Sequence, residues 1–176
     1  MWVGGVLLIV HRVSFVFQMR SPSVSLSPPT VTANQLYSYD AQVGNQTLHH
    51  FIQQSHLAMC KAYGWSSTPL KVGCFGYDNL ACSIAWCYTQ LIETITERSV
   101  IVEDAAAWVH DGWVQNYVWW RDQKPWKTNK AYTKPSAALG DERRDNLALT
   151  AYADLPEDEK EKDRVVASYV LANVKW

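Results

Sequence analysis

Four stretches of this chain place apolar residues at steps of three and four, which commits each to a helix with one buried face. Over residues 46–63 the stripe is Leu48, Ile52, Met59 and Tyr63. Over residues 78–97 it is Leu80, Ile84, Cys87, Leu91 and Ile95, with Trp86 off the stripe. Over residues 102–120 it is Val102, Ala106, Val109, Trp113, Tyr117 and Trp120. Over residues 155–174 it is Val166, Tyr169, Val170 and Val174. Four such faces in 176 residues are enough for one core. The expected fold is therefore mainly α, in one domain over residues 45–176.

Local signals punctuate these helices. Gly64 is a stop for the first, and Asp78 is an expected cap for the second. Glu103 and Asp104 suit the dipole at the start of the third. Asp154 is an expected cap for the last, and Pro156 fits its first turn, where no N–H is needed. Residues 1–44 differ in kind. An apolar run over residues 1–10 precedes a segment rich in Ser, Pro and Thr over residues 20–35, and this extension is expected to be poorly ordered. The run is too short to span a bilayer and has no positive start, so no membrane span is expected and the expected location is cytoplasmic. A tail packed on the domain, a weak membrane or export segment, and an extension upstream of a start at Met19 all stay open, the last favoured.

Composition narrows the function classes. A net charge of -1 gives no global pull toward nucleic acid or a membrane surface. Cys60, Cys74, Cys82 and Cys87 are spaced by fourteen, eight and five residues, which fits no common zinc pattern. Buried free thiols are the expectation, with a disulfide pair formally open. His49 and His56 share a helix face without a nearby carboxylate, so no metal site is expected. There is no phosphate-cradling glycine loop, no His-Glu-x-x-His and no Gly-x-Ser-x-Gly, and nothing calls for a cofactor. The Cys60–His56 pair and His110 beside Asp111 or Glu103 are the nearest to catalytic chemistry, and each lacks a third orienting group. The chain reads as non-catalytic.

Nine Trp and nine Tyr are the unusual count, read first as core. The segment 121–144 invites a second reading. It holds seven Lys or Arg against three Asp or Glu, interleaved with Trp126 and Tyr132. Aromatic faces stack bases and guanidinium groups grip phosphate, so this pattern points to a small anionic or nucleotide-like ligand. A protein partner or a single nucleic-acid strand suits the same residues, the latter with a salt-dependent affinity. The oligomeric state is left open.

Two segments carry a family resemblance. One holds His110 and Trp113 in a His-x-x-Trp pattern. The other holds Tyr152, Leu155, Pro156, Glu159, Lys160 and Asp163 at the entry to a helix. Together they resemble the two ends of the ryanodine-receptor repeat, over about residues 100–174. The middle departs from that family: its Gly-Trp-x-Tyr-Gly block is absent and a longer basic loop stands there. The layout from residue 45 onward looks like small stand-alone versions from bacteria and their viruses. The resemblance implies antiparallel helices with short strands and no catalysis. It also implies a sensor of a nucleotide-derived signal, or a phage protein that sequesters one in the host cytoplasm. A virion-associated accessory module is the alternative. The candidate ligand-binding residues are His110, Trp113, Tyr117, Trp120, Arg121, Trp126, Arg143, Arg144 and Tyr152.

Overall fold

The structure is a computed structural model and describes residues 42–43, 46–95, 99–136 and 139–174. Residues 1–41, with the apolar run and the Ser-Pro-rich segment, lie outside the described residues. Two-residue strands β1 (Gln42–Val43) and β2 (Gln46–Thr47) pair antiparallel, with Gln42 opposite Thr47. Val43 is buried, so the packed unit takes in residues just before the expected boundary.

Helix α1 (Leu48–Tyr63) begins where the Thr47 side chain accepts from His50 N–H and ends at Gly64, whose φ of 65° suits glycine. Helix α2 (Phe75–Thr94) starts three residues earlier than Asp78 suggested. Cys74 is its cap, its sulfur accepting from Tyr77 N–H at 3.4 Å. Asp78 is instead inside the first turn and fully buried. Ile95 falls just past the helix end and is exposed, whereas the rest of the stripe is buried.

Helix α3 (Val102–Gln123) runs about one turn longer than its stripe, stopping at Lys124 in a left-handed conformation. Helix α4 (Glu142–Leu149) was hidden in the basic segment; Asp141 caps it by accepting from Arg144 N–H at 2.8 Å. Helix α5 (Glu157–Asn173) follows a 3-10 turn, Tyr152–Asp154. Pro156 takes the cap position, so Asp154 is not the cap, because that turn ends the chain's approach before the helix begins.

Helices α2 and α3 pack closely, and α5 lies against α1 and α3. Phe51, Ile52, Tyr77, Ile84, Leu91, Val109, Val166 and Val170 form the main core. A second, smaller core holds Trp119, Trp120 and Tyr132, with Phe75, Trp126 and Leu139 packed on it. Gly73 ties the loop after α3 to this core. Its φ is 79°, and a Cβ there would sit 2.1 Å from the Ala131 carbonyl oxygen, while Thr133 N–H donates to the Gly73 carbonyl at 2.9 Å. Cys60, Cys82 and Cys87 are buried free thiols, and burial pushes Cys82 and Cys87 up to about 12. Among the described residues no helix is long and apolar enough to cross a membrane.

Candidate functional site

Three aromatic rings climb one face of α3 at the helical spacing of three and four. His110 stacks on Trp113 at 5.7 Å and 15°, and Trp113 stacks on Tyr117 at 5.1 Å and 3°. Each end of this column is tied to another element. At the top, Tyr117 hydroxyl donates to Asp145 Oδ1 on α4 at 2.8 Å and accepts from Gly140 N–H at 3.0 Å. Arg121 donates to the same Asp145 oxygen at 3.0 Å. At the foot, His110 Nε2–H donates to the Thr150 carbonyl at 3.1 Å, and Nδ1 lies 3.4 Å from Asp163 Oδ2 on α5.

Both acceptors around His110 want a proton from the ring, so the charged imidazolium suits them best. Burial opposes that charge, but the Asp163 carboxylate and the Thr150 carbonyl outweigh it and hold His110 above its ordinary value. Burial likewise raises the Asp163 carboxyl, although His110 pulls it down. Both folded values are raised, so the proton on this pair stabilises the fold below the unfolded histidine value. That stabilisation is lost as pH rises through the folded His110 value. Melting of the wild type is therefore expected to fall between pH 6 and pH 8, and His110→Gln should flatten that dependence. An unchanged pH dependence in the variant would show that the pair is not its source.

Helices α1 to α5 all line a cavity of about 400 Å³ beside the column, open to solvent on one side. Its aromatic surface comes from Trp113, Phe75 and the rim residue Trp65. Its charged surface comes from Arg143 and Arg144 on α4 and from Glu159, Lys162 and Asp163 on α5. Asn79 also lines it, and the Asn79 amide nitrogen is a buried donor with no hydrogen-bond partner among the described residues.

Comparison with protein-family models, with curated proteins and with solved structures finds no match. The site has to be read from its own geometry.

Of the nine residues singled out in the sequence, His110, Trp113, Arg143 and Arg144 converge on the cavity. Tyr152 stands behind it, its ring 6.4 Å from His110 and its hydroxyl donating to Glu103 at 2.8 Å. Tyr117 is fully buried and, with Arg121, holds α4 through Asp145. Trp120 is fully buried in the second core, so it offers no face for a ligand. Arg121 and Trp126 line a separate groove of about 310 Å³ with Lys124 and Lys134. The one expected cluster therefore divides, because Trp119 and Trp120 turn inward and leave the basic loop on a different face from α4.

Asp163 is drawn inward from the charged start of α5, whereas Arg164 stays at the surface in exposed ion pairs. The Asp163 side chain is 15% exposed and paired with His110, while Arg164 bridges to Glu103 at 2.7 Å and also reaches Glu157. Glu103 is not the histidine's partner, being held by Tyr152 and Arg164, and Asp111 acts on His110 as a nearby charge that raises it. Glu159, Lys162 and Asn79 were missed as lining residues. A signal for Glu159 and Asp163 was present: they lie four residues apart on the same face as the buried Val166 and Val170. The two resembling segments also meet in space, through His110 with Asp163 and with Tyr152.

Proposed function

We propose that this chain is a non-catalytic binding module that takes a small anionic, nucleotide-like ligand in the cavity beneath α4. The proposed frame is a divergent helical repeat of the ryanodine-receptor kind, acting as a sensor or sequestering protein. One observation carries the reading: His110, Trp113, Arg143 and Arg144 come from two helices onto one cavity of about 400 Å³. That volume lies in the range of small-molecule sites. Trp113, stacked on both faces, presents its edge to the cavity, the half-exposed Trp65 at the rim supplies a plane for a base, and the guanidinium groups supply paired donors for phosphate. The unpartnered Asn79 amide is a buried donor at the same wall.

The pairing of the titratable groups described at this wall supports the non-catalytic part. Both His110 nitrogens are engaged, by Thr150 and Asp163. Cys60 and His56 do approach, with sulfur and Nε2 3.5 Å apart. Yet His56 Nε2–H donates to the Thr68 carbonyl at 3.0 Å and Cys60 donates to the Ser66 carbonyl at 3.1 Å. In that tautomer His56 Nδ1 is the free base and lies 3.8 Å from the sulfur, a long contact, and neither residue lines the cavity.

Thermal melting against mono-, di- and cyclic nucleotides and unrelated anions tests this. A ligand at one hundred times its dissociation constant should stabilise the fold by roughly 2.7 kcal/mol. Arg143→Ala should abolish the shift, and Trp126→Ala should keep it. No shift with any member of the panel would favour the second reading, a protein partner. That reading draws on the exposed Ile92, Ile95, Ile101 and Val102 at the turn between α2 and α3.

A further inference from the structure

The three Lys and Arg side chains on the cavity wall each have a carboxylate partner within the chain. Glu159 on α5 holds two of them. It accepts from Arg143 Nη2 through Oε1, and its Oε2 lies 2.8 Å from Lys162 Nζ. Arg144 is held by Asp141. The Glu159 side chain is only 14% exposed, whereas that of Arg143 is 63% exposed. The carboxylate is thus the inner partner, and the arginine reaches over it from α4. That helix buries none of its residues, so it is held in place by polar links, of which Arg143–Glu159 is one.

On the reading of this cavity as an anion site, we infer that Glu159 occupies the place of the ligand's anionic group, and that the ligand displacing it bears a terminal phosphate monoester. A carboxylate tethered on the same chain acts at an effective concentration in the millimolar range, on the order of that of a short linker. A second group with a single charge has little to set against it. A phosphodiester has one charge and two free oxygens, much like the carboxylate it must replace. A phosphate monoester carries about -1.5 to -2 charge at neutral pH and three acceptor oxygens. Those oxygens match Arg143, Lys162 and Arg144, all on the wall of the same cavity. Exchange of Glu159 for such a group also keeps Arg143 engaged, so α4 retains its link across the cavity through the ligand. The site therefore selects monoesters over cyclic and linear diesters of the same nucleoside.

Isothermal titration of the full chain with AMP and GMP, and with their 3′,5′-cyclic and 5′-methyl ester forms, tests this. The wild type is expected to bind at least one monoester about tenfold or more tighter than its diesters, a difference in Kd that titration resolves. Glu159→Gln keeps the shape and removes the competing charge, so it should tighten monoester and diester binding alike by about tenfold and leave their ratio in place. Equal wild-type affinity for a monoester and its diesters would overturn the inference. So would a folded Glu159→Gln protein whose diester affinity is unchanged or weaker. The wild-type ratio needs no variant, so it decides the matter even if Glu159→Gln does not fold. Binding of diesters alone, or only of anions without phosphate, overturns this inference and leaves the anion site standing. Binding of no anion at all removes both.

Discussion

Replacing Trp120 with alanine is expected to cost the fold about 3–5 kcal/mol, the range for removing a large buried ring. Trp120 has no exposed surface and is the hub of the second core. Its ring meets Phe75 at 5.7 Å, Trp126 at 5.6 Å and Tyr132 at 5.5 Å. Those three neighbours come from α2, the turn after α3 and the following loop, so the cavity left behind would loosen all of them. A domain of this size has a stability of only about 5–15 kcal/mol, so a large share would be lost. Chemical denaturation measures it. A loss below about 1 kcal/mol would mean that the ring is not enclosed as described.

Gly112→Ala is the second large effect, and here two terms oppose each other. Gly112 is inside α3, where alanine is favoured over glycine by about 1 kcal/mol on helix propensity alone. The packing term runs the other way. A Cβ at Gly112 would lie 2.6 Å from Ser83 Cα and 2.8 Å from the Cys82 carbonyl oxygen. Both atoms are α2 backbone, so no rotamer relieves the contact and the two helices must part. Forcing extra atoms into a packed interior costs about 1–3 kcal/mol and at times more. A contact this short belongs at the upper end, and the variant should lose stability on balance. A more stable Gly112→Ala protein would contradict the close α2–α3 crossing.

The helices were legible because their apolar spacing is regular and their packing follows it. Leu80, Ile84, Cys87 and Leu91 are buried as the period of α2 requires. Boundaries were harder to read. Asp78 looked like a cap because aspartate is common there, but Cys74 takes that role and Asp78 goes into the interior. Helix α4 was not legible, since it buries none of its residues and so has no apolar stripe to reveal it. It is placed instead by Asp145 meeting Tyr117 and Arg121, a link across more than twenty residues of chain. The candidate site was legible in part for the same reason. His110, Trp113, Arg143 and Arg144 carry a residue-type signal, and they converge. Glu159 and Asp163 belong to a charged helix start that reads as solvated until the partner helix is seen beside it. Trp120 and Trp126 are near in sequence to basic residues, but sequence distance does not say which way an indole turns.

An NMR titration of the tryptophan indole N–H signals would show most directly whether the cavity beneath α4 binds the ligand. The titrant is the panel nucleotide with the largest melting shift. Trp113 and Trp65 line that cavity, whereas Trp126 lines the other groove and Trp120 is enclosed. Shifts confined to Trp113 and Trp65, and lost in Arg143→Ala, are the expected result. Shifts at Trp126 with Trp113 unmoved would place the ligand on the basic loop and contradict the assignment.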